Sequence, residues 1–208
     1  MTVNEQILAE LNRLYPDARP ELNFSNPFET LIAVMLSAQC TDRQVNKVTA
    51  KLFPLYPDAF AIACLTPDEL RPHVASCGFR SKADNIVATC RILVEKYDGQ
   101  VPRTMEELTA LPGVGRKTAN VVLANAFGVP TIAVDTHVFR VSNRLGLASA
   151  KDVLETERQL MQVIPREDWI KAHHWLIFHG RRVCDARKPA CGSCTLAPLC
   201  KHCNQGGE

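Results

Sequence analysis

Two side chains in this sequence are placed where they can break a covalent bond. Lys117 follows the turn Leu111-Pro112-Gly113-Val114-Gly115 and precedes the apolar run Ala119 to Phe127, so it falls in the first turn of a helix. An ammonium is poorly placed there, because the amide dipoles point their positive end at it. That repulsion, helped by any desolvation, lowers a lysine pKa from its ordinary value of about 10.4. A neutral amine at working pH is what a nucleophilic or Schiff-base lysine requires. Asp135 sits between the apolar Ile132-Ala133-Val134 and a helix beginning near Thr136. A carboxylate at that position accepts amide hydrogen bonds and stays ionised, either as a plain N-cap or as a counter-charge. In the second role it steadies the positive charge that grows as a glycosidic bond breaks. His137 and Arg140, one turn further on, are assigned structural roles.

The turn before Lys117 has its own chemistry. Gly113 and Gly115 let the backbone take positive φ and approach a neighbour closely. The unpaired amides of the following helix then form a site for a phosphate, without a long basic side chain. A grip of this kind holds a nucleic-acid backbone and reads no base.

The third feature is a cysteine-rich tail. Of nine cysteines, five (Cys184, Cys191, Cys194, Cys200 and Cys203) lie close to the C-terminus, and an odd total argues for metal rather than a disulfide framework. Cys40, Cys64, Cys77 and Cys90 are scattered through apolar helical stretches and read as small hydrophobes. Four thiolates hold a tetrahedral zinc or an iron–sulfur cubane, and ligand count does not decide between them. The single short knuckle, Cys191-Gly192-Ser193-Cys194 with wider gaps on either side, is unlike the paired knuckles of zinc ribbons. Arg187 and Lys188 lie between the first two cysteines of the tail, where a held loop would present them to phosphates. Arg181 and Arg182 add charge nearby.

The elements that must position these groups are helical. Asn26-Pro27 opens an apolar segment over Phe28 to Ala38, and Thr41 caps a helix marked by Val45, Val48, Leu52 and Phe53. Thr66 to Glu69 and Thr104 to Glu107 read as capping boxes, and Ser81 as the cap of a helix running to Tyr97. Further helices are predicted over Thr136 to Leu145, Val153 to Val163 and Glu167 to Arg182. No period-two alternation is present, so the fold class is all-α, with nine or ten helices. The net charge of +2 permits nucleic-acid binding without arguing for it. No stretch approaches the roughly 20 apolar residues of a membrane span, and the start lacks a secretory pattern, so a cytoplasmic location is expected.

Taken together, these segments resemble the endonuclease III family of DNA glycosylases with abasic-site lyase activity. Leu111 to Val122 is similar to that family's helix–hairpin–helix, and Val134-Asp135-Thr136-His137-Val138-Phe139-Arg140 to its catalytic-aspartate motif. Leu36-Ser37-Ala38-Gln39 with Thr41-Asp42 resembles an early segment whose glutamine fills the hole left by a flipped nucleotide. The spacing Cys184-x6-Cys191-x2-Cys194-x5-Cys200 resembles the family's [4Fe–4S] site.

The resemblance implies Lys117 as nucleophile, Asp135 as catalytic carboxylate, and Gln39, Gly113, Gly115, Arg187 and Lys188 as DNA contacts. It implies four cluster ligands: Cys184, Cys191, Cys194 and Cys200. It also implies two helical lobes, 21–130 with the helix–hairpin–helix and 1–20 plus 131–208 with the cluster loop at 184–200, and DNA in the cleft between them. The expected partner is duplex DNA with oxidised pyrimidines or abasic sites, bound by a monomer in a bacterial cytoplasm at the nucleoid. The adenine-excising relatives carry serine at the lysine position, unlike this chain. The turn Gly78 to Lys82 looks one residue shorter than the family loop that supplies an apolar wedge, leaving Phe79 for that role. Cys203 falls outside the ligand pattern and reads as a free thiol.

Overall fold

The computed structural model describes residues 1–204. Among them the regular elements are all helical. The first half holds α1 (Val3–Leu14), α2 (Pro27–Ser37), α3 (Asp42–Leu55), α4 (Ala59–Ala63), α5 (Pro67–Val74) and α6 (Ser81–Tyr97). The second holds α7 (Met105–Thr109), α8 (Arg116–Phe127), α9 (Thr136–Leu145), α10 (Val153–Val163), α11 (Trp169–Arg182) and α12 (Lys201–Asn204). The count exceeds the expected nine or ten because α4 and α12 are too short to show a period in sequence. No described helix is long and apolar enough to cross a membrane.

The helix starts follow the capping chemistry with two corrections. Asn26 accepts from the Glu29 amide with Pro27 at the first helical position, and Thr66 with Glu69 forms a complete capping box. At Thr104 the box is half made: its hydroxyl accepts from the Glu107 amide and itself donates to the Glu107 carboxylate at 2.7 Å. Ser81 does not cap α6; it is already helical, and Arg80 occupies the cap position without a side-chain bond.

The chain divides into two compact units. One spans Pro20–Val129 and carries α2 to α8. Its centre is α2, in which every residue from Thr30 to Leu36 is buried, as befits a helix apolar all round. Leu31, Ile32 and Leu36 share their core with Ile86 and Leu93 of α6 and Ala119 and Val122 of α8. Cys77 and Cys90 are buried and Cys40 is partly so, whereas Cys64 is exposed at the end of α4. The small-hydrophobe reading therefore fails at Cys64.

The other unit joins Met1–Arg19 to the segment from Pro130 onward. Here α9 and α1 both pack on α11, with Ile7, Leu11, Val138, Val141, Trp175 and Leu176 in one core. A Cβ on Gly180 would sit 3.0 Å from His137 and 3.1 Å from Val141, so glycine permits α9 and α11 to approach closely.

Candidate active site and metal centre

In the 20–129 unit, α7 and α8 form a hairpin around Leu111 to Gly115. Leu111 and Val114 point into the core at 3% and 4% exposure, which leaves the turn's glycines outward. Thr89 of α6 donates its hydroxyl to the Pro112 carbonyl at 3.0 Å. Gly113 has φ +74°, and a Cβ there would lie 2.7–2.9 Å from Asn85. Glycine is thus demanded twice over. Gly115 is the N-cap of α8 with no side-chain cap bond, and a Cβ on it would meet nothing within 4 Å. The first turn of α8 therefore begins at an open surface. Lys117 is exposed in that turn, at the positive end of the helix.

Gln39 stands just past the end of α2, exposed and in the left-handed region at φ 53°. A non-glycine residue held there is uncommon and carries strain of about 1–3 kcal/mol. Phe79 is 58% exposed, directly after Gly78 at φ +105°. An exposed phenylalanine on a turn is a costly place for an aromatic ring unless it meets a partner.

In the other unit, Asp135 is the half-buried N-cap of α9, its Oδ1 accepting from the Val138 amide at 2.7 Å. The buried strip Ile132 to Val134 leads into it, and the Ala133 carbonyl lies 2.7 Å from His173 Nδ1 on α11. Arg140, left without a chemical role by the sequence, is a tether. Its guanidinium donates to the carbonyls of Gly180 and Cys184 at 3.0 Å, and lies 3.1 Å from His137 Nδ1.

The tail cysteines gather round one small cavity. Cys184, Cys191, Cys194 and Cys200 all line it, together with Cys203, Arg144 and His179. Cys203 is a difference from expectation: the spacing sets it apart, yet the short helix α12 turns it into the same cavity. Burial and its thiol neighbours Cys191 and Cys200 push the Cys203 pKa up to about 12. Among the described residues no three His, Cys, Asp or Glu side chains converge as a cage for a single ion. Four thiols lining one cavity are compatible with an iron–sulfur cluster.

Arg144 and His179 were invisible in the spacing and do much to shape this end of the molecule. Arg144 donates to the carbonyls of Asp185 (2.6 Å) and Ala186 (2.8 Å) and to Cys184 Sγ (3.4 Å), while its own carbonyl accepts from Cys200 Sγ at 3.2 Å. His179 lies 3.7 Å from Cys194 Sγ and 3.0 Å from the Tyr15 hydroxyl, and burial pushes its pKa down to about 4. The Asp185 carboxylate accepts the amides of Arg187 (2.9 Å) and Lys188 (3.2 Å), fixing the turn that leaves both basic side chains exposed. Arg182 is not a free charge: it stacks 4.4 Å over Phe178.

Lys117, Gln39 and the two turn glycines thus belong to one unit, and Asp135, the basic loop and the cysteines to the other.

A family model described as HhH-GPD superfamily base excision DNA repair protein matches residues 32–166. Endonuclease III of Haemophilus influenzae is 54% identical over 95% of this chain and 94% of its own length. The Escherichia coli protein of the same name is 53% identical over the same shares. Among solved structures, a trapped endonuclease III–DNA covalent intermediate matches with a TM-score of 0.93 at 50% identity, covering 100% of both chains. A non-covalent endonuclease III–DNA complex matches with a TM-score of 0.92 at 51% identity, covering 99% of each. The chain belongs to the endonuclease III family of the HhH-GPD superfamily of base excision DNA repair proteins.

Proposed function

We propose that this protein is a bifunctional DNA glycosylase and abasic-site lyase, with Lys117 as its nucleophile. The observation that carries the reading is the pairing of Lys117, in the first turn of α8, with a near full-length likeness to a structure trapped as a covalent DNA intermediate.

A base inside a duplex is out of reach, so the damaged nucleotide is extruded first. The amides after Gly113 and Gly115 take a backbone phosphate, Gln39 fills the vacated space, and Phe79 wedges the stack. Uncharged Lys117 Nζ bonds to C1′, and the base leaves with the electrons of its glycosidic bond, taking up a proton. The Asp135 carboxylate, one oxygen bound to the Val138 amide, offers the other to the positive charge on the sugar. The C1′–O4′ bond opens to give a Schiff base. Loss of a C2′ proton then expels the 3′ phosphate, and water releases the lysine.

The tail fits a [4Fe–4S] cluster on Cys184, Cys191, Cys194 and Cys200, because the four thiols line one cavity and their spacing resembles the family's cluster site. When bound, the cluster supplies a covalent staple for the loop carrying Arg187 and Lys188 to DNA phosphates, and no bond-breaking chemistry. The partner in this reading is duplex DNA bearing an oxidised pyrimidine or an abasic site. It is met by a monomer in the bacterial cytoplasm, at the nucleoid.

Borohydride reduces a Schiff base to a stable amine, which gives the test. Wild-type protein with a thymine-glycol duplex and borohydride yields a protein–DNA adduct; Lys117→Gln yields none and still binds the DNA. An adduct formed by Lys117→Gln removes this residue from the mechanism.

A further inference from the structure

Lys82, in the first turn of α6, is only 7% exposed and no step above uses it. A lysine buried in a helical core is expensive unless each N–H finds an acceptor. Here all three do: Nζ donates to the carbonyls of Leu36 (2.8 Å), Ala38 (2.6 Å) and Cys77 (2.5 Å). Burial pushes its pKa down, opposed by the neighbouring Cys40 and Cys77 thiols.

The identity of the acceptors is informative. Leu36 and Ala38 end α2, where carbonyls lack helical partners and the dipole is negative, so an ammonium is the fitting cap. Cys77 belongs to the separate short turn Ala75–Cys77 before α6. One residue beyond the first pair of acceptors is Gln39, held at φ 53°. Two residues beyond the other is Phe79, carried out by Gly78 at φ +105°. One charge therefore ties together two segments, one ending in exposed Gln39 at positive φ and the other leading through Gly78 to exposed Phe79. Packing alone does not call for a charge: a methionine of similar length would fill the space, but it would leave three carbonyls on two separate segments without their shared donor.

We propose that Lys82 is a positioning residue for damage recognition, holding the segment that presents Gln39 in fixed relation to the turn that presents Phe79. The inference rests on the proposed roles of those two side chains. A hole-filling group and a wedge act on one opened base step only if their separation is held, because unstacking costs a few kcal/mol that loose probes do not recover.

The test compares two substrates. A duplex with thymine glycol needs both probes; a single-stranded oligonucleotide with an abasic site has no stack to open and still needs Lys117. Lys82→Met is expected to lower kcat/KM on the duplex at least tenfold, while nicking of the single strand stays within twofold. Fluorescence of 2-aminopurine beside the lesion, which rises as the base unstacks, should lose most of its response. In a Gln39→Ala, Phe79→Ala background Lys82→Met should add little. As a control, Ile86→Val, a core change on the same helix, should lower Tm and leave the duplex-to-single-strand ratio unchanged. Equal loss on both substrates, or no loss on either, overturns the proposal. If Lys82→Met does not fold, Lys82→Gln, which keeps two donors, is measured in its place, and a wild-type ratio overturns the proposal equally. Wild-type protein that neither nicks nor forms the borohydride adduct would instead refute the parent reading.

Discussion

The hairpin turn and the cysteine loop, the two proposed phosphate contacts, are built in opposite ways. The hairpin, Leu111 to Gly115, is held by the polypeptide's own packing: two core side chains, one hydroxyl from α6, and Gly113 seated against Asn85. The stretch from Cys184 to Cys203 buries only Leu196 and Cys200. Its shape comes from two arginines donating to carbonyls of Cys184, Asp185 and Ala186, and from thiols around a cavity. A segment that buries so little apolar surface needs a staple, and metal–thiolate bonds supply one. The contrast separates a region held by its own packing from one that, in the proposed reading, a cluster would staple.

The comparison breaks most directly at a proposed cluster ligand. Cys194→Ala is expected to cut bound iron and the blue-region absorption by more than about tenfold, since loss of a ligand exceeds the 10–100-fold cost of losing a mere orienting partner. Limited proteolysis should then cut within residues 184–203 while the 20–129 unit stays intact. Cys203→Ala should leave the absorption as it was. If Cys203→Ala bleaches it and Cys194→Ala does not, the ligand set is wrong.

Next in size is Gly113→Ala. Positive φ costs an L-residue about 1–2 kcal/mol, and a Cβ at 2.7–2.9 Å from Asn85 forces a shift costing about 1–3 more. A total of about 3 kcal/mol corresponds to a Tm lower by about 6–12 °C in a chain of this size. A Tm within 2 °C of wild type, on the scale of about 2–4 °C per kcal/mol, would mean the turn is not held as described.

Why one region was readable in sequence and the other only half so follows from the same contrast. Caps, glycines and apolar periods are local, and so α9, α10 and the hairpin stand where their residues predict. Ser81 misled because a serine next to an apolar run resembles a cap whether or not the helix has already begun. Lys82, Arg144 and His179 make contacts across 15 to 56 residues of chain, and contacts at that range leave no local pattern around the lysine, arginine or histidine. Cys203 was set apart by spacing, which cannot reveal that a four-residue helix swings it back to the cavity.

Acid should loosen the unit that carries the cysteine loop. His174 on α11 is 6% exposed with no partner for Nε2, and burial, then His173 and Arg181, push its pKa down to about 3. A folded value below the unfolded value of about 6.5 means stability is full above that pH and drains as pH falls toward the folded value. At pH 5 the loss is about 2 kcal/mol, from about 1.5 units at 1.36 kcal/mol each. His174→Leu should flatten the Tm-against-pH curve between pH 6.5 and 4.5. A variant as acid-sensitive as wild type would move the cause elsewhere.

The smallest change is the most discriminating. Gly115 shares the turn with Gly113, but its φ is −90° and a Cβ would meet open space, so Gly115→Ala should cost only about 0.5 kcal/mol of capping preference. That same open side is where a phosphate would rest on the α8 amides, and a methyl group there should weaken DNA binding several-fold. Because no charge is removed, the slope of log affinity against log salt should not change. Lys188→Ala in the cysteine loop should do the reverse, reducing the slope by about 0.9 for one lost phosphate contact. An amide grip and a charge grip are thus separable on one protein by salt titration alone. A slope that falls with Gly115→Ala, or holds with Lys188→Ala, would erase the distinction between the two regions.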